Sequence, residues 1–567
     1  MRSPAISDFA GRLGKTAVLS TALGLGVLCQ AVQAQLVLPS DAKPTCTVAP
    51  TEFATWFASG SVGLNGAVNP ADSVAFSNIP NCDFYKWSEQ MFLWLTSPSA
   101  AGDGTHVFDT PVFFDVSLPD VSGNRTFIPH TAGSLRNFSA SIPQRGPNEE
   151  RVVFDQTGRM LKVVQPEVGP SGLPLIRDLQ GKQVEIQRLE ATPEGQPLLR
   201  DSTGKEIPYA ATPSKGVRLK DRSGKDIELS SNQVTVNGKR MFLTTAGDVL
   251  DLEFGQADKS VLMAQNNSLV YYSLQANDVF AYFLTGTKNG GISPAPTQFP
   301  TTAPELDAIK QFAATHSTTF TDANALTIEL KSSWIETTGL DASQYVTVTA
   351  TIPTYDTSDP THWVPNGTRQ AELAMVGIHV VGSTAGHPEM VWATVEHVNN
   401  APNEQYTYLD AADATKTVPK DTAGTWLFST SGATGPGNNL RMTTQSGEDI
   451  QAEPGQTIGP SDVLRINAWG TAAASAQSVA NNTDIIAINN SVIGQLAAGD
   501  VRRNYIMTGA TWTIGGAAPS ANNQVGTNKM ANATMETFFQ PSNCFSCHKT
   551  NKVGVSHIFA PLQPLFP

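Results

Sequence analysis

The chain has 567 residues, 15% charged side chains and a formal net charge of −13. Such an acidic balance makes nucleic acid and anionic lipid poor partners, and after residue 34 no stretch approaches the roughly 20 apolar residues of a membrane span. Few charges with 46 Gly and 37 Pro suit a mainly β protein with a few helices (α+β), long enough for one large core or two to three smaller ones.

Taken in chain order, Arg2, Arg12 and Lys15 precede the apolar run Thr16 to Leu28, and Val32-Gln33-Ala34 offers a small-residue cleavage site. This pattern predicts a signal peptide over 1–34 and a bacterial periplasmic or secreted protein. Cys29 follows a bulky Leu28, which fits a lipoprotein signal poorly. Residues 35–150 form the N-terminal part of a body. Within it, 35–80 reads as an extended lead-in, and Phe84 to Leu95 reads as a helix with a stripe of Trp87, Met91, Trp94 and Leu95. Core packing is the expected role of that stripe.

From 151 to 252 a turn signature recurs at Asp155–Gly158, Asp178–Gly181, Asp201–Gly204 and Asp221–Gly224, with a weaker copy at Thr244–Gly247. The glycines are spaced by 23, 23, 20 and 23 residues. An Asp side chain caps such a turn and Gly supplies its positive φ, so the stretch reads as an inserted arm of β-hairpins, a meander or short solenoid.

Residues 253–528 form a β-rich core. Strands are expected across 266–287 and 325–400, because Leu326, Ile328 and Leu330 alternate, as do Val346, Val348, Ala350 and Ile352. Pro304 to His316 reads as a short helix. The runs Leu373 to Val381 and Met390 to Val398 are apolar on both faces and belong at a sheet centre. Residues 401–480 read as loops, Ile485 to Ala498 as a helix or a strand-turn-helix passage, and Lys529 to Gln540 as a helix leading into the last segment, 529–567.

That segment holds Cys544-Phe545-Ser546-Cys547-His548, the C-x-x-C-H signature of covalent haem attachment. Two thiols form thioethers with the haem vinyl groups, and the adjacent histidine is placed to ligate the iron. C-x-x-C alone also fits a redox pair or half a zinc site. Zinc needs two further ligands, and His557 is the only other nitrogen ligand nearby. A thioredoxin-like motif opens a βαβ unit, for which the nineteen residues after His548 are too few. Export and c-type haem agree with one another. If Cys544 and Cys547 hold one haem c, Cys46 and Cys82 are left as a candidate disulfide of an oxidising compartment, or as two buried thiols.

The stretches Trp87-Ser-Glu-Gln-Met-Phe-Leu-Trp-Leu-Thr96, Ser333-Trp334-Ile335, Val376-Gly-Ile-His379-Val, Val391-Trp-Ala-Thr-Val-Glu-His397-Val-Asn399 and Asn532-Ala-Thr-Met-Glu-Thr-Phe538 resemble exported bacterial proteins of the cytochrome c family. The resemblance is scattered over the chain outside the arm. It implies a single C-terminal haem held by Cys544, Cys547 and His548, and no established reaction.

Nineteen residues cannot enclose a porphyrin, so the body must complete the pocket. His557 could reach the distal face, since nine extended residues span about 30 Å. His379 shares strand parity with Leu373 and Met375, and His397 with Val391, Ala393 and Val395, which points both into buried space. Met530 and Met535 are further candidates, and an open sixth position is another. A saturated iron implies electron transfer with a redox partner protein or a small-molecule donor or acceptor. An open one implies a peroxidase- or oxygenase-like haem oxidoreductase, for which His379, His397 or Glu396 could serve as distal base. A third reading is a binding or scaffold protein that carries haem. No H-E-x-x-H, G-x-S-x-G or dinucleotide glycine fingerprint is present.

Overall fold

Strands rich in β-branched residues, apolar on both faces at the centre, build one large antiparallel sheet in the computed structural model. Residues 38–567 are described apart from 79–80, 100–104, 119–123, 132–133, 141–151, 155–159, 165, 168–174, 187, 202–203, 210–216, 221–224, 237–238, 251–258, 423, 425, 431–439, 443–448, 453–456, 471–475, 521, 531, 536, 538–543 and 549–551. The expected signal segment 1–34 therefore lies outside the described residues. Everything described falls within the unit Gln33–Pro567. Among the described residues no helix is long and apolar enough to cross a membrane.

In chain order the elements that position the site are α1 (Asn81–Leu95), β1 (Phe113–Val116), β2 (Tyr271–Asn277), α2 (Asp278–Lys288), α3 (Ala303–Thr315), β3 (Ile328–Glu336), β4 (Thr347–Asp356), β5 (His362–Thr384), β6 (His387–His397), α4 (Ala476–Gln495), β7 (Tyr505–Thr513) and the single turn α5 (Cys544–Cys547). The sheet runs β1-β2-β3-β5-β6-β7, every pair antiparallel, with β4 on the first half of β5. The mainly β, α+β architecture is the one expected.

The sheet has an apolar layer on each face. On one, the α1 stripe of Trp87, Met91, Trp94 and Leu95 is fully buried with Ile485, Ile486 and Ile488 of α4. Trp87 lies so close to Gly382 of β5 that a Cβ there would stand 3.0 Å from its ring and 2.5 Å from Ile328 Cδ1. The other face carries α2, α3 and the C-terminal segment, with Phe280, Phe283, Phe312, Phe545 and Phe559 in one cluster.

Three local readings are corrected. Residues 278–288 are helical. Asn277 caps α2 by accepting from Phe280 N at 3.0 Å, and its residues are buried from Val279 to Gly286, so no amphipathic period marks it. The lead-in contains a short helix, Pro50–Trp56. The helix expected over 529–540 does not form in its described part. There the Asn532 carboxamide accepts from Thr534 N at 2.9 Å, a turn that competes with helical bonding. Tyr272 OH also donates to Thr534 O. Residues 485–495 of the ambiguous stretch belong to the twenty-residue helix α4, which begins inside the region expected to be loop.

The arm is built from hairpins. Turns close at Gly181, Gly204 and Gly247, each at positive φ, and Asp178 Oδ1 accepts from Gln180 N and Lys182 N at 3.0 and 2.8 Å. A further turn, Thr192–Gly195, uses Thr192 Oγ1, as the Gly247 turn uses Thr244 Oγ1, where the Gly181 and Gly204 turns use Asp. Those at 155–158 and 221–224 lie outside the described residues. The six-stranded sheet is more than a meander, because Val249–Leu250 pairs in parallel with Met160–Val164. Two apolar clusters belong to the arm alone.

Candidate functional site

Cys544 to Cys547 form one helical turn, continued by His548 N donating to Cys544 O at 2.9 Å. Residues three and four apart on a helix are neighbours, so this turn sets positions 544, 547 and 548 on one side. Phe545 points away into the apolar cluster and is fully buried, while Cys544 is half-buried. The side chain of Cys547 lies outside the described residues.

The tail after His548 folds back onto the body. Ser556 Oγ donates to Glu329 Oε2 of β3 at 2.7 Å. Arg125 N donates to Pro561 O and Gln563 N to Arg125 O. Phe559 packs among Phe280, Phe283 and Phe299. Burial raises the Glu329 carboxyl to about 7, opposed by its bond to Ser556 and by the Arg125 charge.

His548 is held on three sides. Its ring stands 4.1 Å from Trp392 of β6 and is stacked on His557 at 3.7 Å and 17°. Its Nδ1 lies 2.8 Å from Val555 O. A carbonyl only accepts, so Nδ1 carries the proton and Nε2 presents its lone pair in the neutral ring. Burial, reinforced by His557, holds the ring well below its usual pKa; the Val555 bond opposes this, while His379 and Lys331 reinforce it. A neutral imidazole whose other nitrogen donates to a backbone carbonyl is what an axial metal ligand requires. The residues at this end thus fit the haem expected from the motif.

The remaining candidates separate. His379 is corrected in its facing. A β-bulge between β3 and β5 pairs Ser333 with Gly377 but Trp334 with Met375, and one extra residue reverses strand parity. Leu373 and Met375 face α1 before the bulge, and Ile378 and Val380 do so after it. His379 accordingly lies on the opposite face, paired with Lys331 of β3 and Thr394 of β6. Asn532 reaches the same face, where Gly377 leaves it room and its Nδ2 donates to Thr394 Oγ1 at 3.2 Å.

His397 keeps its expected facing and is a core histidine. It stacks on Tyr345 at 4.1 Å, its Nε2 lies 3.2 Å from Gln344 O, and Asn399 N donates to Nδ1. Burial lowers it to about 3. Glu396 is committed to a buried pair with Arg465 at 2.7 Å and accepts from Asn400 and from Ala533 N, so it anchors the segment before the motif and is not a distal base. Met530 and Met535 are buried in two different clusters. Cys46 and Cys82 are joined by a disulfide, which ties the lead-in to α1.

Sequence reasoning missed Trp392, Val555, Lys331 and Glu329. Alternation alone places Trp392 opposite Val391, but nothing local ties either residue to position 548. Among the described residues no three His, Cys, Asp or Glu side chains gather as a metal site; a haem iron asks the protein only for axial ligands. No family model, curated protein or solved structure matches the chain.

Proposed function

We propose that this chain is an exported mono-haem protein of cytochrome c type, working in electron transfer. The observation that carries the reading is His548, the fifth residue of C-x-x-C-H, held neutral with Nδ1–H on Val555 O and Nε2 available. Cys544 and Cys547 would hold the porphyrin and His548 would ligate the iron. The haem supplies a one-electron couple when bound. Trp392 and His557 fix the orientation of the His548 ring. The acidic chain suits a redox partner with a basic docking face, for which association weakens as salt rises.

The test is to produce the chain in a host that matures c-type cytochromes and to look for haem that survives denaturing extraction. The Cys544→Ala/Cys547→Ala double variant is expected to lose all covalent haem. Undiminished retention in that variant would overturn the proposal.

A further inference from the structure

We infer that His379 is the second axial ligand of the iron and that His557 is a positioning residue for His548. This deepens the haem reading above and rests on it.

The stacking of His557 on His548 argues against a place across the iron. A metal–imidazole bond is about 2 Å long, so two trans ligands hold their nitrogens about 4 Å apart, with the ring bodies further apart still. Ring centroids 3.7 Å apart and nearly parallel do not meet that condition. Their contact instead clamps the His548 ring from one side while Trp392 packs at 4.1 Å.

His379 is the alternative, since it comes from a different element and its charge is felt at His548. The bulge turns it onto the sheet face over which the C-terminal segment runs, where Asn532 covers Gly377 and Phe545 joins the cluster of Val381 and Trp392. Trp392 pairs with Val381 and Thr394 with His379, so His379 is the diagonal neighbour of the tryptophan that packs on His548. Such diagonals lie within reach of long and aromatic side chains. Its neighbours on the same face, Val381, Trp392 and Thr394, are buried, yet His379 and its partner Lys331 are half-exposed. The sheet thus leaves space at this pair. His397 and Met535 are packed elsewhere, as described, and Met530 is buried as a core side chain in the cluster of Phe545 and Trp392, whereas His379 is half-exposed.

The experiment uses the full-length matured protein and compares wild type with His379→Ala, His379→Met and His557→Ala. Ferric and ferrous absorption spectra are recorded with and without carbon monoxide. Wild type is expected to be low-spin and indifferent to carbon monoxide. His379→Ala is expected to become high-spin, to shift with carbon monoxide, and to return to low-spin on adding imidazole, a rescue that a merely structural role would not give. His379→Met keeps a low-spin iron and raises the midpoint potential, which guards against a misfolded Ala variant. His557→Ala stays low-spin and moves only the potential. A high-spin wild type, a low-spin His379→Ala, or a high-spin His557→Ala beside a low-spin His379→Ala would each overturn the assignment. Wild type without covalent haem overturns the haem reading itself, an outcome distinct from all of these.

Discussion

Glu89 offers a sharp test of how the body is packed. It lies on α1, is 5% exposed, and no protein group hydrogen-bonds its Oε1 among the described residues. Burial alone raises its carboxyl from 4.5 to about 8. The folded protein therefore holds a proton that the unfolded chain releases above pH 4.5. The contribution to stability is fully present below that pH and is lost as pH climbs to about 8. At about 1.4 kcal/mol for each unit, the loss between pH 4.5 and 7 is about 3 kcal/mol. That is a large share of the roughly 5–15 kcal/mol by which domains are stable. Glu89→Gln keeps the shape and removes the titration. Urea denaturation followed by tryptophan fluorescence at pH 4.5, 6, 7 and 9 should show the variant gaining about 3 kcal/mol on wild type between the first and third conditions, then little above pH 8–9. Comparing pH values cancels the fixed cost of burying an amide. A difference that stays flat across the range would refute the claim that burial raises the Glu89 carboxyl.

The buried His397 has the opposite dependence. Its native pKa near 3 is below the unfolded 6.5, so stability is complete above about pH 6.5 and falls on acidification. His397→Phe, which keeps the stack on Tyr345, should lose about 2 kcal/mol less than wild type between pH 7 and 5; equal losses would contradict this. Removing the disulfide with Cys46→Ala/Cys82→Ala reopens a loop of 36 residues' separation, worth about 4 kcal/mol in the chain-entropy account. Denaturation midpoints in oxidising buffer check it, and an unchanged midpoint would refute it.

Legibility of the fold followed how local each cause is. The α1 stripe was readable because four large apolar residues recur at helical spacing and all face one layer. The arm was readable because Asp-x-x-Gly fixes turn geometry within four residues. α2 was hidden by being apolar all round. The 529–540 helix failed because Asn532 and the sheet outbid helical bonds for the backbone there. At the site, the C-x-x-C-H motif is contiguous and so was visible. The facing of His379 depends on one extra residue beside Gly377, whose shift of parity is hidden in a strand that is apolar on both faces. Val555 and Trp392 meet His548 only through the folded-back tail and the sheet, and no spacing in the sequence announces such contacts.

The central claim is that this chain carries one haem covalently at Cys544 and Cys547. The most direct measurement is the intact mass of the matured protein with its alkaline pyridine spectrum after acid extraction. The account predicts the processed polypeptide plus one haem, with a c-type spectrum that stays with the protein. A mass without haem, or haem that extracts completely, would contradict it.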